Sequence, residues 1–149
     1  MERSQGEPRT TRGYATTKRA IDLAICIVAL PILVPVGLLC ALAIRLETPG
    51  PVLFAQQRTG QHGVRFPMFK FRTMVRNAEE LKASLQHLNI LPPPDFKIPN
   101  DPRVTRVGKF LRKTSLDELP QVLNVIRGEM SIVGPRPTSF AASTYDLWH

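Results

Sequence analysis

Histidine and cysteine are scarce, with 3 and 2 among 149 residues. Cys26 and Cys40 both lie inside an apolar block, where a thiol behaves as a small hydrophobe. His62, His87 and His149 stand apart from one another, and no zinc-type spacing joins them to the cysteines. A metal site built on soft ligands is thereby disfavoured. Acid is short as well: 12 Asp+Glu face 20 Lys+Arg, leaving a formal charge of +8 and a pI near 10.2. Such a surplus suits polyanions, whether nucleic acid, anionic lipid head groups or phosphorylated substrates, and does not choose among them. The length allows one domain with one modest core. Prolines (14) and glycines (9) are plentiful, so turns are many and elements short.

Charge is missing altogether from the 22 residues between Asp22 and Arg45, LAICIVALPILVPVGLLCALAI. A straight helix of that length reaches about 33 Å, enough to cross a hydrocarbon core of roughly 30 Å. Pro31 and Pro35 interrupt it near the middle, each removing a backbone hydrogen bond, and Gly37 follows. Arg3, Arg9, Arg12, Lys18 and Arg19 precede the block, while Arg45, Arg58, Arg65, Lys70, Arg72 and Arg76 follow it. Positive flanks tend to stay cytoplasmic, and here both flanks want the same side. The expectation is a re-entrant hairpin, broken at the prolines into two arms of about 15 Å, ahead of a plain crossing. A signal peptide fits poorly because no small-residue cleavage site precedes the basic stretch. A buried soluble hairpin lacks apolar partners elsewhere in the chain to cover it.

Beyond Glu47 two strand-like runs, Val52 to Gln57 and Val64 to Phe71, flank a turn from Arg58 to Gly63. Arg65, in the second run, reads as a basic gatekeeper on a solvated strand edge. Met74, Ala78, Leu81, Leu85 and Leu88 recur at helical spacing, with Asn77 and Glu80 as a capping signal. Residues 91–102 carry Pro92, Pro93, Pro94, Pro99 and Pro102 and read as a loop. From Pro102 to Leu116 come Arg103, Arg106, Lys109, Arg112 and Lys113 without a carboxylate. Asp117 and Glu118 then precede the apolar run Leu119, Val122, Leu123, Val125 and Ile126, which Gly128 is placed to end.

Two readings compete at the acidic pair. Ser115-Leu116-Asp117-Glu118 is a capping box, with acids favoured in a first helical turn. Pro120 fits that box badly, and with Leu119 as cap it takes the first helical position instead. The pair then lies outside the regular helix. A carboxylate beside a helix start and a cluster of cations stays ionised. Such a carboxylate can attack phosphorus to give an acyl phosphate. The cations would offset the charge of a diphosphate substrate. Arg136, between Pro135 and Pro137, is either a donor on a stiff loop suited to phosphate or a plain surface turn. A divalent ion held by carboxylate and phosphate oxygens needs no dedicated protein cage.

The stretches KRAIDLAICIVALPILVPVGLL, GPVLFAQQRTG, FKFRTM and DPRVTRVGKFLRKTSLDELPQVLNVIRGEMSIVGPRP resemble the bacterial sugar transferases, the monotopic phosphoglycosyl transferases. They run from Lys18 to Pro137, and the last is the most specific. The resemblance implies an α+β fold: a proline-broken re-entrant membrane helix, then a small cytosolic helical domain with a short β-hairpin. It divides the chain into a polar extension (1–17), the membrane helix (18–46) and a catalytic domain (47–149). It implies transfer of a phosphosugar from a UDP-sugar to a polyprenyl (undecaprenyl) phosphate with release of UMP, the first membrane step of exopolysaccharide, O-antigen or glycoconjugate synthesis. Asp117 would be the nucleophile, and Glu118 would bind magnesium or position the acceptor phosphate. Mg2+ would rest on Asp117 and Glu118. Lys70 or Arg72, Arg112 and Arg136 would hold phosphates or nucleotide. The implied surroundings are membrane lipids on the cytoplasmic face of a bacterial inner membrane, without nucleic acid and compatible with a homo-oligomer. Family members generally continue past GPRP, so the catalytic domain is expected to be incomplete at its C-terminus. The rival readings are an inactive membrane fragment and a membrane-tethered binder of anionic lipid or nucleic acid. A binder would be unaffected or strengthened by Asp117→Asn and would weaken gradually, and with salt, as cations are removed.

Overall fold

The long apolar stretch and its flanks make α1, Arg12–Glu47, the dominant element of the computed structural model, which describes residues 12–60, 63–91, 96–135 and 137. Its 36 residues would extend about 54 Å if unbent. The helix continues through Pro31 and Pro35 without an interruption, where two separate arms were expected. Proline's fixed φ is compatible with helix; what it removes is one donor each, leaving the carbonyls of Ile27 and Pro31 without their usual N–H. The element also begins earlier than residue 18, at Arg12.

Exposure along α1 has a helical period although its composition has almost none. Lys18, Asp22, Cys26, Ala29, Leu33, Val36, Cys40, Ile44 and Glu47 are buried or half-buried, and their spacing of three and four places them on one stripe. Outside the stripe large apolar side chains are bare: Ile27, Val28, Ile32, Leu38, Leu39 and Leu46 are each at least 65% exposed. The helix is long and apolar enough to cross a membrane by length and composition.

The remaining elements pack on the stripe. Strands β1 (Leu53–Thr59) and β2 (Arg65–Phe71) pair antiparallel, with Ala55 opposite Phe69 and Leu53 opposite Phe71. Both strand-like runs are thus present, the first extended to Thr59. The expected helix across Met74 to Leu88 shrinks to α2, Glu80–Ser84, and a 3-10 turn, Gln86–Leu88. It buries no residue, and Asn77 gives it a backbone carbonyl rather than a side-chain cap. Helices α3 (Arg106–Thr114) and α4 (Gln121–Arg127) follow, separated by a 3-10 turn, Leu116–Glu118.

The core is shared between α1 and the rest: Cys40 and Ile44 meet Phe71 and Leu111, ringed by Val36, Val52, Val107, Leu116 and Leu119. Three polar devices fix the helices around it. The Glu47 carboxylate accepts from the N–H groups of Arg106 (2.8 Å) and Val107 (3.1 Å), and Thr105 Oγ1 accepts from Gly108 N–H (2.9 Å). Together they satisfy the orphan donors of α3. At the other end of α1, Arg19 donates to the carbonyls of Val125 and Ile126, beside Gly128 (φ 81°) where α4 ends. Lys18 donates to Asp22 and to Ser131, and Ser131 donates to Asp22 at 2.7 Å. Asn124, fully buried, joins α4 to the sheet: its Oδ1 accepts from Phe69 N–H (3.0 Å) and its Nδ2 donates to the Pro67 carbonyl (2.7 Å). A side chain thereby supplies the partner that a further strand would give β2.

Candidate active site

Ser115 does not cap a helix start through its side chain. It lies in the left-handed region (φ 58°) at the end of α3, and its side chain makes no capping bond. That residue turns the chain sharply, so Leu116–Glu118 forms a separate 3-10 turn before α4. Pro120 stands at the N-cap of α4, one place from the first helical position. The capping-box reading therefore gives way to an acidic 3-10 turn outside both α-helices. Leu116 and Leu119 sink into the core on either side of the acidic pair and hold the turn in place.

Glu118 pairs with Lys70, whose Nζ lies 2.9 Å from Oε1. Lys70 projects from β2, so the sheet and the turn meet at this ion pair. Asp117 is half-buried, and burial raises its pKa above the usual carboxylate range. Lys70 and Arg112 pull the other way, and the adjacent Glu118 adds to the rise. The sequence expectation that cations would dominate is reversed in direction here, because desolvation is the largest cause. Arg112 is aimed by Thr73, whose Oγ1 accepts from its Nε at 2.9 Å. Thr73 in turn lies against α3 through its backbone, its carbonyl accepting from Thr105 N–H at 3.1 Å.

Lys70, Arg112, Asp117 and Glu118 thus come together. Arg72 turns elsewhere. Its guanidinium donates to the carbonyls of Pro49 (3.0 Å) and Thr48 (2.8 Å) and to Thr48 Oγ1 (2.8 Å). Arg136 lies outside the described residues. Arg103 is not a free cation either. Asp101, one residue before the run read as lacking carboxylates, binds it through Nη2–Oδ2 at 2.6 Å and Nε–Oδ1 at 2.9 Å. That pair is buried, holds Asp101 below and Arg103 above their ordinary values, and stacks on Phe96.

An apolar groove of about 350 Å³ opens beside the turn, between α1 and α4. Ile25, Ala29 and Leu33 form one wall, Leu119 and Val122 the other, with Ser115 and Glu118 at its polar edge. A second groove, about 530 Å³, runs between Val36, Leu39 and Ala43 of α1 and Val107 and Phe110 of α3. Charged oxygen beside cations, opening onto apolar surface, is an arrangement for a substrate with an anionic head and an apolar tail.

Residues 13–147 match the family described as bacterial sugar transferase. The chain belongs to that family. It is similar to the undecaprenyl-phosphate galactose phosphotransferase of Salmonella typhimurium, at 47% identity over 80% of this chain and 26% of the relative. It is 44% identical to the exopolysaccharide production protein ExoY of Rhizobium meliloti over 89% of this chain and 59% of that one. A putative undecaprenyl-phosphate N-acetylgalactosaminyl 1-phosphate transferase of Bacillus subtilis is 39% identical over 85% of this chain and 65% of the relative. The sugar transferase chain thus spans less than two thirds of each of these relatives.

Several residues that build this site were not legible as such in the sequence. Thr73 and Glu47 act across more than thirty positions, a separation at which local pattern carries no signal. Asn124 sits in an amphipathic run and had a weak signal: a polar residue on the buried face of α4.

Among the described residues no group of three or more His, Cys, Asp or Glu side chains could hold a metal ion. The adjacent carboxylates of Asp117 and Glu118 nonetheless fit Mg2+, which commonly takes one or two carboxylates and completes its shell with phosphate oxygens and water.

Proposed function

We propose that this sugar transferase moves a phosphosugar from a UDP-sugar to a polyprenyl phosphate by way of Asp117. The observation that carries the reading is the placement of Asp117: half-buried in a 3-10 turn between two α-helices, under the influence of Lys70 and Arg112, in a turn that edges an apolar groove. An Asp117 carboxylate oxygen forms a bond to the sugar-bearing phosphorus, and the bond from that phosphorus to the bridging oxygen of UMP breaks. UMP leaves with the electron pair. A phosphate oxygen of the acceptor then attacks the same phosphorus, and Asp117 departs as a carboxylate. Lys70 and Arg112 offset the charge gathered around phosphorus, a role in which a fixed donor is worth about 10²–10³ in rate. Glu118 holds Lys70 at the site. Mg2+, carried by Asp117 or Glu118 with substrate oxygens, would supply further charge neutralisation on the diphosphate.

The same reading puts α1 into the bilayer as a re-entrant element on the cytoplasmic face of the inner membrane. Its bare apolar side chains support this, as does the attachment of both ends to one polar body: Lys18, Arg19 and Asp22 to residues 125–132, and Glu47 to α3. A body that grips both ends of α1 keeps both on one side. The pair Pro31 and Pro35 provides a place to bend.

The test is to supply the chain in nanodiscs with UDP-glucose, UDP-galactose and UDP-N-acetylgalactosamine, omitting the acceptor. A phosphosugar adduct on the peptide containing Asp117, with UMP released, is the expected result. Absence of both products with every donor, for this chain and for a version extended at its C-terminus, would sink the proposal. In an active preparation Lys70→Met should lower kcat/KM by about 100-fold. Removing that positive charge raises the Asp117 pKa further, so the acidic limb of the pH–rate profile should move to higher pH.

A further inference from the structure

Three arginines converge where α1 ends, away from the groups that act on Asp117. Arg45 donates from Nη1 to the Gly50 carbonyl at 2.7 Å, and Arg72 donates to the two residues before it, Thr48 and Pro49. A Cβ placed on Gly50 (φ 120°) would lie 2.6 Å from Arg72 Nη1 and 3.7 Å from Arg76 Cδ, so all three side chains crowd one glycine. None of them forms an ion pair among the described residues. Glu47, the nearest acid in sequence, is committed to the start of α3. Arg72 is only 9% exposed and its Nε has no hydrogen-bond partner. Burial, and then Arg45 and Arg76, push its guanidinium below its ordinary value, as expected where like charges gather without a counter-ion.

Exposed apolar side chains lie on the same elements as the cluster. Leu42, Leu46, Leu53 and Phe54 are 55%, 78%, 45% and 53% exposed on the same end of α1 and the start of β1. Cations at the end of a helix that carries bare hydrophobes match the boundary between acyl chains and phosphate head groups. Arg45 and Arg76 are exposed, and Arg72, tied to Thr48 and Pro49, supplies the fixed base.

We propose that Arg45, Arg72 and Arg76 form a binding site for the phosphate of an anionic membrane lipid, separate from the Asp117 centre. The site needs no catalysis: it seats the end of α1 at the bilayer surface and sets the height of the catalytic turn above it. This rests on the membrane placement of α1 proposed above, which flotation with purely zwitterionic phosphatidylcholine vesicles reads by itself. Flotation failure there would remove α1 from the membrane; it would not speak to the arginines.

The experiment measures thermal stability of the full chain in neutral detergent micelles doped with phosphatidylglycerol or phosphatidylcholine. Phosphatidylglycerol should raise Tm by on the order of 5 °C, an effect that fades with salt, and phosphatidylcholine should not. The double variant Arg45→Gln/Arg76→Gln, altered at two exposed positions, should lose that rise. The equally charge-depleted Arg65→Gln/Lys97→Gln should keep it. Equal responses in both double variants would overturn the site. A rise with inorganic phosphate at matched ionic strength, lost in the first variant and not increased by phosphatidylglycerol, would assign the cluster to soluble phosphates and overturn the lipid assignment.

Discussion

Asp117→Asn should lower the rate of phosphosugar transfer by about 10⁴-fold or more, because the amide cannot form the bond to phosphorus. The same change should leave Tm at pH 7 equal to or above that of the unaltered chain. The pKa of Asp117 is raised in the folded state, chiefly by burial. As pH rises past the ordinary value near 3.8 the unfolded chain releases this proton first, so folding loses stability until the higher folded value is passed. Above it the cost is fully present, and an uncharged residue removes it. Parallel measurement of UMP release and thermal unfolding checks both halves. A variant that lost activity together with several degrees of Tm would point to a structural role for Asp117 instead. A nucleic-acid or lipid binder would show the same response of Tm and would have no transfer to lose.

Gly108→Ala should be the most damaging single methyl in the described fold. A Cβ at this position would lie 2.0 Å from the Thr73 carbonyl oxygen and 2.8 Å from Thr73 Cα. The obstacle is backbone, so no side chain can swing aside. Either α3 lifts from the strand end or the Thr105 N–H to Thr73 carbonyl bond breaks. The expected cost is about 3 kcal/mol or more, which lowers Tm by about 6–12 °C for a chain of this size. Thr73 also aims Arg112, so residual folded protein should show a reduced rate as well. Gly134, with open space around it, is the matching control: Gly134→Ala should fall within about 0.5 kcal/mol of the parent.

The contrast between these two glycines shows where sequence reading stopped. Turn chemistry was legible because its causes are local: Gly128 ends α4 in the left-handed region, as its place after Arg127 suggests, and the β1–β2 pair follows two short apolar runs. The acidic pair was legible as a candidate because cations precede it and Pro120 conflicts with a regular helix start. What failed had non-local causes. Leu81, Leu85 and Leu88 make a helical stripe, but none of them is buried among the described residues, and only a short helix forms. Ser115 and Glu118 match a capping box in type and spacing, yet Lys70, forty-eight positions away, takes the carboxylate. Arg103 belongs to a run without a carboxylate in sequence, yet Asp101, just outside that run, folds back onto it. Pro31 and Pro35 read as a break, whereas α1 runs through both, each removing one backbone donor.

The stripe along α1 makes the division into anchor and enzyme artificial. Half of the principal cluster, Cys40 and Ile44, belongs to the element that would be cut away to make a detergent-free fragment. Glu47 and Arg19 would leave with it, uncapping α3 and α4 at once. Trimming this protein to its polar half therefore removes the keel along with the hull, and what is left has too little shared interior to hold the acidic turn in shape.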